Sequence, residues 1–368
     1  MRVALVVPGG VDPSAEYRVI PALLALIRRL ARAHEVRVFV PEQEAEPRRW
    51  ELLGAQVFNI GERHTRVRGV RVVCAQHRVC PFDVIHAMWS GASGLIGVAA
   101  ARILGVPSVV HVAGGELTAL PAIAYGGRLT WKGRLREAAV LRAATLVTAA
   151  SGPMLSTLSA LGITARRVPL GVDLDAWPPR PPAHRSAVQV ARLIHIASLN
   201  RVKDQPTLLR ALVALRDQGL EFDMHVVGVD TLGGEIQALA GRLGLAGVVK
   251  FHGFLPQSSL RPLLEVSDLQ VISSRHEAGP VTLREAAVVG VPTVGTAVGE
   301  IADWAPHAAL AAPVGEPEPL ARQVAALLTD EELRLRVARE AYTRATCEDA
   351  GYTARLFEDL YEELMACR

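Results

Sequence analysis

Aromatic residues are scarce: Phe, Trp and Tyr make up 5% of the 368 residues, while half of all residues are hydrophobic. A core built from this chain must therefore be aliphatic. Cysteine is scarcer still. Cys74, Cys80, Cys347 and Cys367 form no paired CxxC spacing, which argues against a zinc site or a disulfide framework and for a reducing compartment. A signal peptide is not expected, because glycines cut short the apolar run in MRVALVVPGG. The longest uncharged stretch, Val84 to Ala101, is broken by His86, Ser90, Ser93 and three glycines, so it reads as a strand and a buried helix rather than a membrane span. Net charge is also small, +3, which speaks against a nucleic-acid partner. These absences leave a soluble cytoplasmic protein as the expectation.

What is present is an α/β pattern. Valine- and isoleucine-rich runs recur at Arg2–Pro8, Val36–Pro41, Val57–Ile60, Asp83–Ala87, Ser108–Ala113, Thr145–Ala150 and Arg167–Leu170, with helical spacing between them. Runs without alternation indicate strands buried on both faces, hence parallel sheets covered by helices. The pattern pauses at 177–185, WPPRPPAHR, where four prolines suggest an unpacked linker, and restarts with strands expected at Val190–Ala197, Met224–Val229, Val248–Phe251, Leu269–Ser273 and Thr293–Thr296. The length suits two domains. The division expected is 1–176, a linker at 177–187, a second domain at 188–347, and a closing helix at 348–368 that returns to the first domain through Tyr352, Leu356, Leu360 and Leu364. Doubly wound domains bind ligands at the carboxyl ends of their strands, so a cleft between two of them is the expected site. Charge divides along the same line: residues 1–176 hold 21 Lys and Arg against 13 Asp and Glu, or +8, and residues 177–368 hold 19 against 24, or −5.

The densest chemistry lies in SSRHEAGPVTLREAAVVGVPTVGTAVGE, residues 273–300. Gly279–Pro280 opens a helix whose first amide groups suit a diphosphate, with Pro280 near the first helical position where its missing N–H costs nothing. Glu277 in the preceding loop and Glu285 on the helix would repel phosphate, so accepting hydrogen bonds from sugar hydroxyls is the role that fits them. Taken on spacing alone, ordinary glutamates on a helix face are the better reading.

Glu277, seven residues and Glu285 resemble the E-x7-E pattern of retaining glycosyltransferases of the GT-B fold, in the group 1 or family 4 class. The wider string S-x-x-E-A-G-P-V-T-L-x-E-A…G-V-P-T-V is similar to that family along its whole length. The resemblance implies two Rossmann-like domains facing across a cleft, with the closing helix crossing back. It also implies transfer of a hexosyl-type sugar, with retention, from a nucleotide-diphosphate sugar to a glycan, lipid or small-molecule acceptor. Val188–Leu215 resembles the opening of the donor domain, where Lys203 matches the family lysine. Ala197–Ser198 stands where many relatives have Gly-Arg, and Arg201 is the nearby arginine expected to replace it on the phosphate. The amides of Gly279, Val281 and Thr282 would share that charge, Glu277 would hold the sugar and Glu285 the ribose. Phe254 and Leu255 would face the base, although Phe254 reads equally as core.

On the acceptor side the resemblance brings Gly9 and Gly10, then Gly114 and Glu116 from an H-G-x-D/E motif whose histidine is here Ala113. His111, two residues earlier, reads either as a displaced catalytic histidine or as a hydrogen-bonded core residue. Asp173–Leu174–Asp175 resembles the family's hinge turn rather than a metal-binding D-x-D. No metal or other cofactor is expected, because Lys203, Arg201 and the helix terminus can neutralise a departing diphosphate. Arginines at 63, 66, 68, 71 and 78, and the stretch YGGRLTWKGRLR at 125–136, suit an anionic or membrane-associated acceptor on the first domain, and the plainer reading is a solvated helix face. A nucleotide-sugar-binding protein without turnover, a nucleotide-sugar epimerase or a phosphorylase on the same architecture are the alternatives.

Overall fold

The computed structural model describes residues 1–185 and 190–366, so the end of the expected linker, the expected start of the second domain and Cys367 lie outside the described residues. The chain divides into two compact units: Met1–Asp173 with Glu348–Arg368, and Leu174–Cys347. Unit 1 holds β1 (Arg2–Val6), β2 (Glu35–Val40), β3 (Arg48–Leu52), β4 (Ala55–Asn59), β5 (Val84–Met88), β6 (Ser108–Val112), β7 (Leu146–Ala149) and β8 (Arg166–Arg167), in the order β3-β4-β2-β1-β5-β6-β7-β8. Unit 2 holds β9 (Ala191–Ile196), β10 (Phe222–Val227), β11 (Val249–Gly253), β12 (Leu269–Ile272), β13 (Thr293–Thr296) and β14 (Leu310–Ala312), in the order β11-β10-β9-β12-β13-β14.

The unalternating Val/Ile runs explain the sheets. β5 and β6 are buried at every position, and β12 and β13 likewise, as strands covered on both faces must be. Among the described residues every strand pair is parallel except one. Arg48–Leu52 runs antiparallel to β4 at the sheet edge, where its Arg-Arg-Trp-Glu-Leu sequence tolerates solvent and gave no apolar run to read. β14 is a further strand beyond those expected, because the three residues Leu-Ala-Ala carry no strand signal.

Two further expectations need correction. Residues 177–185 are not an unpacked linker. Trp177 is buried, the amide of Arg180 donates to Val288 O, and Pro182 lies so close to Gly290 that a Cβ there would reach 2.7 Å from its nitrogen. The prolines form a strap on unit 2, since a proline-rich segment needs no ladder hydrogen bonds to pack. The closing helix Ala350–Ala366 does pack within unit 1, but on a face rotated from the one expected. Ala350, Thr353, Ala354, Phe357, Leu360 and Tyr361 are buried, while Tyr352, Leu356 and Leu364 border that face. The Phe357 ring decides the rotation by seating against His86 and His111, with centroids 4.5 and 5.4 Å away.

Candidate active site

Unit 2 changes winding direction between β9 and β12, the central neighbours of its sheet. Loops leaving two such strands diverge and open a crevice at their carboxyl ends. The loop after β9 carries Lys203 and the loop after β12 carries Glu277, and the crevice joins them: Lys203 Nζ lies 2.5 Å from Glu277 Oε1. Both side chains are largely buried, at 25% and 11% exposure, so the pair is held in place rather than solvated. Ser274 Oγ donates to the same carboxylate oxygen at 2.6 Å. Asn200 Oδ1 accepts from the Lys203 amide, and Ser273 Oγ donates to the Lys203 carbonyl, tying the two loops together.

Behind them, Arg275 Nε pairs with Asp204 Oδ2 at 3.1 Å, and the Arg275 amide donates to Val202 O. His195, inside β9, contacts Val271 O and Gln205, whose amide donates in turn to Ser198 O. Burial pulls the His195 pKa down to about 4, so it is a neutral strut.

Glu277 is pinned from its other side as well. Gly299 takes φ +49°, and a Cβ there would lie 2.3 Å from the Glu277 carbonyl oxygen. The helix Val281–Val288 begins at Pro280, which makes no side-chain cap hydrogen bond, so the first-turn amides are not claimed by a capping side chain. Its third residue before the end is Glu285, which is buried and, among the described residues, accepts a side-chain hydrogen bond from Gln257 Nε2 alone, at 3.0 Å. Trp177 Nε1 donates to the other end of that amide, Gln257 Oε1, at 2.7 Å. Burial raises the Glu285 pKa to about 7, against the opposing pull of the Gln257 hydrogen bond. The helix itself is anchored by a fully buried pair, Arg284 Nε to Glu300 Oε2 at 3.0 Å, with the Arg284 guanidinium over the Trp304 ring.

Other expected donor residues stand apart from this group. Arg201 is 60% exposed and faces Glu235 at 3.5 Å, not Glu277. Ser198 is exposed at its loop, and Phe254 is 46% exposed, so the core reading of that ring fails. Leu255 is half-buried.

In unit 1 the Gly9–Gly10 turn follows β1. Gly10 adopts φ +78°, and a Cβ there would reach 2.4 Å from Ile20, so both conformation and space demand glycine. Gln43 Oε1 accepts from the Gly10 and Val11 amides at 2.8 and 3.2 Å, which leaves those two donors already engaged. Glu116 follows β6, and its Oε1 accepts from the Ser90 amide at 3.3 Å. Burial raises its pKa to about 7, although backbone amides at Glu116, Ser90, Ala113 and Gly114 pull the other way. Trp89 Nε1 lies against Gly114, 2.5 Å from where a Cβ would stand.

His111 is elsewhere. It is wholly buried, its Nδ1 contacts Thr148 Oγ1 at 2.9 Å, and it meets the closing helix through Phe357. Burial lowers its pKa to about 3, so the core reading describes it. Asp173 is bound by Arg28 and Arg29 at 2.8 and 2.5 Å.

Sequence reading missed Ser274, Asn200, Gln257, Trp177 and Gly299. Ser274 sat inside the quoted motif. Gln257 and Trp177 gave no signal, because what joins them is spatial.

Residues 19–171 match the glycosyl transferase 4-like domain, and residues 181–344 match glycosyl transferases group 1. The chain belongs to the group 1 glycosyltransferases. EpsF of Bacillus subtilis (strain 168) is 30% identical over 269 residues, 66% of this chain and 65% of that one. Across the first three curated relatives the matched stretch spans 65%, 32% and 54% of their length. Among solved structures, sucrose-phosphate synthase from Thermosynechococcus elongatus superposes with a TM-score of 0.82 at 17% identity, covering 100% of both chains. HepE from Anabaena, solved with UDP, gives 0.76 at 19% identity, covering 99% of this chain and 100% of that one. These group 1 and GT-B likenesses establish the fold expected from the sequence. No helix among the described residues is long and apolar enough to cross a membrane.

Proposed function

We propose that this group 1 glycosyltransferase moves a hexosyl-type sugar from a nucleotide-diphosphate donor to an acceptor hydroxyl with retention at the anomeric carbon. The observation that carries the reading is the half-buried Lys203–Glu277 pair on the two loops that flank the switch point of unit 2, beside a helix start without a capping side chain. HepE, which has the same fold, is solved with UDP and with UDP-glucose, and this supports the same donor class here.

In the proposed step the acceptor oxygen bonds to the anomeric carbon as the bond from that carbon to the diphosphate oxygen breaks. The acceptor proton passes to the departing phosphate. Lys203 and the amides of Gly279, Val281 and Thr282 stabilise charge that is complete only after the bond breaks, so they favour the transition state over the ground state. Lys203 and these amides take the neutralising part that a metal plays elsewhere. Glu277 accepts hydroxyls of the sugar and Glu285 those of the ribose. Arg201 would have to leave Glu235 to join them, a small cost for an exposed pair. Gly9, Gly10, Gly114 and Glu116 form the acceptor-side edge of unit 1, in a protein acting in the cytoplasm.

Nucleotide release from a panel of UDP-, GDP- and ADP-sugars tests the proposal, with the anomeric configuration of the product read by proton NMR. Release that persists undiminished in Glu277→Ala would refute the site. A second reading, nucleotide-sugar binding without turnover, is favoured by one observation: Ala113 replaces the family histidine, and His111 is locked in the core. Donor binding with no release on any acceptor would establish it.

A further inference from the structure

The hollow at the outer end of unit 1's sheet belongs to none of the groups above. It measures about 330 Å³ and is lined by Pro47, Arg48, Arg49, Phe58, Arg68 and Val72, among others. Topology puts it at a ligand-binding edge. Arg48 pairs with Asn59, the last residue of β4, so the start of the antiparallel strand lies at the carboxyl end of its parallel neighbours. That is the same edge at which Gly10 and Glu116 lie.

Arg49 stands opposite Phe58 in the ladder, and its guanidinium sits over the Phe58 ring, 4.9 Å from the centroid. Arg68 comes from the first turns of the helix Thr65–Val79. From Arg63 to Phe82 the sequence holds five arginines and no Asp or Glu. No carboxylate lines the hollow, and among the described residues Arg48, Arg49 and Arg68 make no ion pair. Asn59, also in the wall, has its side chain fully spent on Gln43, Glu44 and Glu46 backbone groups, so it shapes the loop rather than binding.

Guanidinium groups that lack carboxylate partners and surround a concave, partly apolar floor suit a phosphate with a short organic body. We propose that this hollow binds a phosphomonoester or phosphodiester group through Arg49 and Arg68, with Arg48 at its rim. That the phosphate is carried by the sugar acceptor rests on the transferase reading. The phosphate could belong to a soluble sugar phosphate or to a lipid headgroup, and the test separates them.

The full chain is titrated with glucose 6-phosphate, using glucose as the uncharged control, and separately mixed with phosphatidylcholine vesicles with or without phosphatidylglycerol. Each probe is repeated with R49Q/R68Q and with R242Q, which removes an exposed charge from unit 2. Urea unfolding establishes that both variants are folded. Binding of either phosphate probe that weakens about tenfold or more in R49Q/R68Q, and not in R242Q, is expected. Saturation by glucose 6-phosphate identifies the soluble source, and dependence on phosphatidylglycerol alone identifies the headgroup. Equal binding by the double variant, or equal loss in R242Q, overturns the site. UDP titration of the unsubstituted chain reports on the transferase reading separately. Binding of UDP with neither phosphate probe removes the anion site only, while binding of a phosphate probe without UDP keeps the site and removes its link to sugar transfer.

Discussion

Replacing Glu285 by Gln should stabilise unit 2, and the gain should depend on pH in a defined direction. Glu285 is buried, with its pKa raised from 4.5 to about 7 by desolvation. A carboxyl group whose folded pKa lies above its unfolded one favours folding while protonated. That contribution is fully present below pH 4.5 and is lost as pH rises through about 7. At pH 8 the ionised, buried carboxylate therefore costs about 3 kcal/mol relative to a neutral side chain, and at pH 5 less than about 1 kcal/mol. Glutamine keeps a carbonyl oxygen for the 3.0 Å hydrogen bond from Gln257, so the substitution removes charge with little change in contacts. Urea unfolding at pH 5 and pH 8, followed by the fluorescence of Trp177 and Trp304, measures the difference. A stability increment in Glu285→Gln that is the same at both pH values would refute the argument that burial alone holds the proton. The variant should still lose nucleotide affinity, because an amide is a weaker acceptor of ribose hydroxyls than a carboxylate.

Three other substitutions probe the supports of the site. Gly299→Ala places a methyl group 2.3 Å from the Glu277 carbonyl at a left-handed φ, so it should destabilise unit 2 by about 1–3 kcal/mol and depress nucleotide release; wild-type unfolding and release would show the loop to be free. Lys203→Met leaves the Glu277 carboxylate without its cation and should lower turnover by roughly a hundredfold; a steady-state rate within twofold of wild type would remove Lys203 from the charge-stabilising set. Glu300→Gln weakens the buried pair with Arg284 and should cost about 3 kcal/mol in unfolding free energy, the range for breaking such a pair.

Much of this molecule could be read along the chain. Strands buried on both faces leave no alternation, so the runs Asp83–Ala87 and Leu269–Ser273 point to parallel strands, and the structure has them at Val84–Met88 and Leu269–Ile272. The E-x7-E string put Glu277 in a loop and Glu285 on a helix, where both are found. Side-chain environment was not legible in the same way. His111 keeps its position in the motif region, yet the rotation of the closing helix, set by Phe357, encloses it in the core. Phe254 looked as much like core as like a ligand contact, and only the end of β11 turns it outward.

Local sequence determines element type, because hydrophobic periodicity and caps act over a few residues. It therefore determined the two doubly wound units, the family motif and the excess of basic charge in the first half. What only the tertiary structure decided is which distant groups share a volume. The Trp177–Gln257–Glu285 chain spans 108 positions and Lys203–Glu277 spans 74. Arg49 and Arg68 meet one hollow from an edge strand and a helix. Burial that shifts a carboxyl to about pH 7 comes from surroundings assembled by the fold, and no residue's neighbours along the chain encode it.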